Sequence, residues 1–321
     1  MVRRPALPSR FAPFRSAACG LLAAALAVAP AVAQEPEEPA PAGEPGEQVE
    51  EPQPPPELIP DDALEAAVRR ELRLGPDEEL KEDALRNLFF LRAPDGEVAK
   101  LDGLERAVNL SLVNLSGNKL SNADPLAGLS NLQSLDLSGN ELTSLDPLAK
   151  LTGLQYLKLD DNQITDLTPL IGLERLSALY LSGNQVTNLG PLADLTRLTS
   201  LDLAENDVTD VGPLADLKRL SAVTLSGNRI TNVAPLAGLT DLRFLILKDN
   251  QIADLGPLVA AATEDAAGKR RFAPYLKLYV AGNPLGEAAA EQIKALEAAG
   301  VRVVREEKSG DSRDEPAEAD E

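Results

Sequence analysis

Asparagine recurs at Asn118, Asn140, Asn162, Asn184, Asn206, Asn228 and Asn250, always at an interval of 22 residues. A fixed interval of this size is the signature of a stack of near-identical coils, in which each unit contacts only its neighbours. Before each asparagine runs the frame L-x-x-L-x-x-L-x-L-x-x-N, with rare small or Val replacements, as in Leu129, Leu132, Leu135, Leu137 and Asn140. Two positions after it stands an aliphatic residue (Leu120, Leu142, Ile164, Val186, Val208, Ile230, Ile252). A proline followed by leucine comes at the seventh position after it, from Pro125 to Pro257.

Each feature has a physical reason. The L-x-L pair has the period of a strand, so its leucines point inward and their neighbours outward. A 22-residue coil cannot bury its own apolar face, but stacked coils pair these strands into a parallel sheet over one continuous core. The asparagine falls where the chain leaves the strand, and its amide can both donate and accept toward turn backbone that stacking would bury. The residue before it is often glycine (Gly117, Gly139, Gly183, Gly227), which suits a tight corner. Proline pre-sets φ for a short helical or 3₁₀ return on the convex side, with Asp124 and Asp146 placed to cap it.

Irregular units close the stack. Counting back 22 residues from Asn118 lands on Gly96, with Leu85, Leu88 and Leu91 still in frame, so the first repeat is degenerate. Ahead of it, Pro60-Asp61-Asp62 opens a helix whose Leu64, Val68 and Leu72 share a face and which Gly75 ends. From Asn250 to Asn283 the interval is 33 residues, an insertion around Val259–Arg271. A helix near Glu287–Ala299, stopped by Gly300, and a short strand at Val301–Val304 complete a C-terminal cap. The fold class is therefore an α/β repeat solenoid: a parallel concave sheet, short convex returns, a helical N-terminal cap and a helix–strand C-terminal cap. Its divisions are an N-terminal cap at 61–84, repeats at 85–285 and a C-terminal cap at 286–305.

The ends differ in composition. Residues 1–33 read as a signal peptide: Arg3, Arg4, Arg10 and Arg15 precede the apolar Ala17–Ala29, and Ala31-Val32-Ala33 fits the A-x-A cleavage rule. Residues 34–60 hold nine Pro and eight Glu, too few apolar side chains to offset ordering entropy, and predict an extended linker. Residues 306–321 carry eight acids and two bases and predict an acidic disordered tail. These expectations place the protein outside the cytoplasm, periplasmic or extracellular, with no stable membrane span after cleavage.

What the chain lacks narrows its chemistry. With no His there is no imidazole base, imidazole ligand or histidine pH switch. The single cysteine, Cys19, lies in the leader. The formal charge is −20, from 31 bases and 51 acids, which opposes nucleic acid as a partner. Over half of that acidity sits in linker and tail, so it does not by itself make the repeat face acidic. No catalytic constellation appears, and neither a cofactor nor a metal is expected. Asp136, Asp160 and Asp161 offer oxygen ligands for Ca²⁺, but without the fixed spacing of a binding loop.

Over Leu58–Val304 these repeats resemble the leucine-rich repeat family, specifically its 22-residue bacterial subclass of the internalin type. The resemblance implies a non-enzymatic recognition scaffold. The outward positions of its sheet are those four and six residues before each asparagine. Five of the eight aromatic residues after the leader fall in these two columns: Phe90, Tyr156, Tyr180, Phe244 and Tyr279. Aromatic side chains on a rigid face are favoured interface anchors. Tyr156, Lys158 and Tyr180, with Asp136 and Asp202 around them, form the expected central patch; Phe244, Ile246 and Tyr279 form a second. The expected partner of this monomer is a protein, and the alternative is a cell-envelope polysaccharide stacked on the tyrosines.

Overall fold

In the computed structural model, residues 57–305 are described, apart from Pro76 and Arg270. The leader, all but the end of the linker, and the tail lie outside the described residues. In the repeats a three-residue strand is centred on the first leucine of each L-x-L pair, or its Val replacement, and the second follows directly after it. In chain order the strands are β1 (Phe90–Arg92), β2 (Leu112–Asn114), β3 (Ser134–Asp136), β4 (Tyr156–Lys158), β5 (Ala178–Tyr180), β6 (Ser200–Asp202), β7 (Ala222–Thr224), β8 (Phe244–Ile246), β9 (Lys277–Tyr279) and β10 (Arg302–Val304). They pair in that order, all parallel, as one sheet. The register is set by the repeat, so that Leu135 faces Leu157 and Leu157 faces Leu179. The inward leucines of both strand positions, Leu135 and Leu137 among them, are fully buried in one continuous aliphatic core.

The asparagines form a buried ladder that ties coil to coil. The Asn162 Oδ1 accepts from the Leu142 N–H at 3.0 Å, and its Nδ2 donates to the carbonyls of Leu137 and Leu159, both at 3.0 Å, and of Asp160 at 3.1 Å. Thus one side chain satisfies its own turn and the preceding coil, rather than the following one. The pattern repeats from Asn118 through Asn283. The residue before each asparagine is left-handed: Gly117, Gly139, Gly183 and Gly227 have φ of 62–66°, and Asp161, Glu205 and Asp249 stand in the same conformation.

The convex returns are 3₁₀ turns with proline at the second position, as at Asp124–Leu126 and Gly190–Leu192. Asp124 and Asp146 do not cap them. The cap comes two residues earlier: Asn122, Ser144, Asp166, Asn188, Asp210, Asn232 and Asp254 each accept, through a side-chain oxygen, from the N–H two positions on, at 2.8–3.1 Å. A short side chain reaches back most easily in this Asx or Ser turn, while Asp124 is already inside the 3₁₀ segment.

The ends are capped as the composition implies, with two adjustments. Helix α1 (Asp62–Leu72) begins at Asp61 but ends in left-handed Arg73, φ 56°, two residues before Gly75. A four-residue helix α2 (Glu82–Leu85) then leads into β1. In the 33-residue interval between Asn250 and Asn283 a helix α3 (Gly256–Ala267) replaces the 3₁₀ return. Helix α4 (Ala289–Ala299) stops at Gly300, φ 108°, and feeds β10. Among the described residues, no helix is long and apolar enough to cross a membrane.

Asp61 couples the N-terminal cap to the first coil. Its Oδ1 accepts from the Leu64 N–H at 2.9 Å, and its Oδ2 from the N–H groups of Ala99 and Lys100 at 2.9 and 3.0 Å. Partial burial raises its pKa, but the backbone donors Leu64, Ala99, Lys100 and Ala63 together outweigh this and hold the carboxyl below its ordinary range. A depressed folded pKa gives stabilisation that is present above the unfolded value and lost as pH falls through the folded one. Acidification should therefore lower the protection factors of amides in α1 ahead of those in the central coils, and Asp61→Asn should remove that dependence. Equal acid sensitivity in Asp61→Asn would show that another group controls the cap.

Candidate functional site

The concave surface is made by the two outward residues of each strand. In β4 and β5 these are Tyr156 and Lys158, and Ala178 and Tyr180; the register sets Tyr156 beside Ala178 and Lys158 beside Tyr180. Because alanine leaves room, the Tyr156 ring reaches the Tyr180 ring, with centroids 5.5 Å apart at 44°. The Lys158 ammonium stands 6.0 Å from the Tyr180 ring centroid. It also pairs with Asp160 at 3.8 Å, both side chains being mostly buried. The three central residues expected together are together.

Asp136 and Asp202 flank this cluster in register but serve their own turns. The Asp136 Oδ1 accepts from the Ser138 N–H at 3.0 Å and its hydroxyl at 2.6 Å. The Asp202 Oδ1 accepts from the Ala204 N–H at 2.9 Å. Asn114 does the same for Ser116. The position four before the repeat asparagine is thus partly a turn position, which an outward-facing column does not reveal. Asp160 instead accepts from the Ser182 N–H of the next coil at 2.7 Å. Among the described residues, no group of three or more acidic side chains converges as metal ligands would.

The second patch also assembles. Ile246 lies in register with Tyr279 and Phe244 with Lys277. The Lys277 ammonium is 5.3 Å from the Phe244 ring centroid, and that of Lys248 is 5.5 Å from the Tyr279 centroid. Exposure corrects the sequence expectation for both patches. Tyr180, Ile246 and Tyr279 are only 9%, 4% and 7% exposed. A side chain on this sheet has neighbours about 4.8 Å away on both flanking strands, and bulky neighbours close over it. Tyr156 and Phe244 remain half-buried, and Lys158 keeps only a small part of its side chain open. Phe90 is the most open aromatic within a strand; it and the adjoining Phe89 are each about half exposed, with the Arg92 guanidinium 5.6 Å from the Phe90 ring centroid. The column spacing already contains Phe90; its openness follows from standing on the edge strand β1, with a neighbour on one side.

Comparison with known proteins matches this geometry. The family model for leucine-rich repeats in two copies fits residues 108–150, 130–172, 174–216 and 196–238. Internalin C2 from Listeria monocytogenes is 38% identical, with a TM-score of 0.61, over 63% of this chain and 89% of that one. The functional domain of InlJ from the same organism, described as including a cysteine ladder, is 23% identical over 74% of this chain and 54% of that one, with a TM-score of 0.60. A leucine-rich repeat protein of Leptospira interrogans is 23% identical over 64% of this chain and 57% of that one, with a TM-score of 0.53. The last two show likeness of fold alone. No curated protein matches the chain in sequence.

Proposed function

Because the chain belongs to the leucine-rich repeat proteins of the bacterial internalin type, we propose that it is an exported, non-enzymatic scaffold that recognises a protein partner through its concave face. The observation that carries this reading is the Tyr156–Lys158–Tyr180 cluster. Two rings 5.5 Å apart with an ammonium beside them sit on adjacent strands of a sheet braced by the asparagine ladder. Such a cluster loses little side-chain freedom on binding, because its rotamers are already limited by packing. Tyr156 supplies most of the reachable surface, and the Lys158 ammonium and the Tyr180 ring back it. Phe244, Ile246 and Tyr279 extend the same face toward the C-terminal cap. Export rests on the leader at 1–33, with periplasmic or extracellular residence following from it.

A second reading takes the half-buried Tyr156 ring as a platform for a sugar of a cell-envelope polysaccharide. Tyr156→Ala and Tyr180→Ala separate the two. Under the first, each weakens the protein partner by about tenfold or more, as interface anchors do, while retention on isolated envelope glycan does not change. Loss of glycan retention with the protein partner kept would favour the second reading.

A further inference from the structure

A different edge of the solenoid carries a feature that recognition by the concave face does not use. Arg175, Arg197 and Arg219 occupy one repeat position on three successive coils, three residues before β5, β6 and β7. Those strands pair in register, so the three backbones stack at about 4.8 Å per step. In earlier coils the same position is Asn109, Asn131 and Gly153, and the two asparagine amides donate to the carbonyls of Arg86 and Val108 at 2.7 and 2.9 Å and so tie one coil to the last. Beyond the arginines it is Asp241, paired with Arg271 at 2.9 Å. The three arginines do neither. They are exposed, and within the described residues no hydrogen bond or ion pair engages their guanidinium groups.

With Gln155, Ser177 and Thr199 these arginines line a groove of about 360 Å³. The hydroxyls there are already committed as donors: Ser177 Oγ to the Gln155 carbonyl and Thr199 Oγ1 to the Ser177 carbonyl, each at 3.0 Å. They therefore offer lone pairs to a ligand, not protons. An occupant that suits the groove brings anionic groups for the guanidinium forks and hydroxyl donors for Ser177 and Thr199.

We propose that this groove binds a linear anionic polysaccharide whose sugar rings carry carboxylates. A guanidinium fork meets a carboxylate with two parallel hydrogen bonds. Ring hydroxyls supply donors that the Ser177 and Thr199 oxygens can accept. An acidic peptide fits less well, since its ionised carboxylate side chains bring no hydroxyl donors for Ser177 and Thr199. Single-stranded nucleic acid is disfavoured because the groove has no aromatic residue on which a base would stack. The overall charge of −20 does not forbid the contact, because fields are screened beyond about 8 Å at physiological salt.

The test is calorimetric titration of the full chain with an oligomer of galacturonic acid, its methyl ester and a poly-glutamate peptide of equal charge. Binding of the free-acid oligomer is expected, without binding of the ester, and with weaker binding of the peptide. The triple variant Arg175→Gln/Arg197→Gln/Arg219→Gln should bind about tenfold more weakly or worse, and its log–log salt dependence should fall by about 2. Arg197→Gln alone, an exposed change, should show a smaller loss and decides the matter if the triple variant is unstable. Tyr156→Ala should leave this binding unchanged, which separates the groove from the concave face. No binding by the parent chain, equal binding of the ester, tighter binding of poly-glutamate, or unaltered binding by the arginine variants would each overturn the proposal.

Discussion

Asn162→Ala is expected to lower stability by about 3–5 kcal/mol, although it removes a single uncharged side chain. The Asn162 amide engages four backbone groups: the Leu142 N–H and the carbonyls of Leu137, Leu159 and Asp160. All lie in or beside the core, where water does not replace the lost partner, and each buried unsatisfied group costs about 1–3 kcal/mol. Three of the four are buried, so about 1 kcal/mol each sets the lower bound of about 3, and the loss stays far below the full sum because Asp160 is only partly buried and the turn can relax. The loss should also be uneven. In a solenoid, stability is a sum of coil and neighbour terms, and this asparagine joins the coils of β3 and β4. Weakening one internal junction should broaden urea unfolding or split it in two, with the first transition at a lower midpoint. Equilibrium unfolding followed by circular dichroism reads both effects. An unchanged midpoint would mean that the ladder is a consequence of stacking and contributes nothing to it.

Gly103→Ala should have an effect of similar size with a different distribution. Gly103 has φ 95°, and a methyl group there would stand 2.0 Å from the Leu58 carbonyl oxygen. A positive φ costs an L-residue about 1–2 kcal/mol, and relieving the clash requires moving backbone, because no side-chain rotation removes it. The adjoining Ile59 is buried in the core, so displacement of this segment also opens apolar surface. A total of about 3–5 kcal/mol is expected, combining strain with overpacking. The damage should stay in the N-terminal cap: hydrogen exchange should accelerate in α1 and β1 and change little beyond the first coils. Gly128→Ala is the matched control, since nothing lies within 4 Å of its added methyl and its φ is not positive. That variant should fall within about 0.5 kcal/mol of the parent. Similar losses in both variants would show that chain flexibility, not the close approach of Leu58, governs the response.

The repeated elements were legible because many coils report the same constraint. Leu135, Leu157 and Leu179 recur at one position, and only a strand stacked on its copies buries all of them. The same holds for the asparagines and for the prolines of the convex returns. What escaped was a second row at equally regular spacing, Asn122 to Asp254. Every member is Asn, Asp or Ser, yet Asp124 and Asp146 beside this row stand where a helix N-cap is expected, and in these turns that place is already inside the 3₁₀ segment. Single features were harder. Arg73 in left-handed backbone ends α1 where Gly75 looked the natural stop, with its N–H turned back onto the carbonyls of Arg69 and Arg70. The candidate face was legible in position and less so in exposure. Offset from the asparagine places Tyr180, Ile246 and Tyr279 on the concave surface, but not how far flanking side chains close over them. Nor does it separate an acid turned to its own turn, such as Asp136, from one turned to a partner.

The central claim is that recognition takes place on the concave face, at the cluster around Tyr156. Site-specific photo-crosslinking in the native envelope tests it most directly, with the reactive group placed in turn at Lys158, at Phe244 and at the convex, exposed Lys150, followed by mass spectrometry of the adducts. The account predicts one shared protein adduct from Lys158 and Phe244 and none from Lys150. Adducts formed from Lys150 but absent at both concave positions would contradict it.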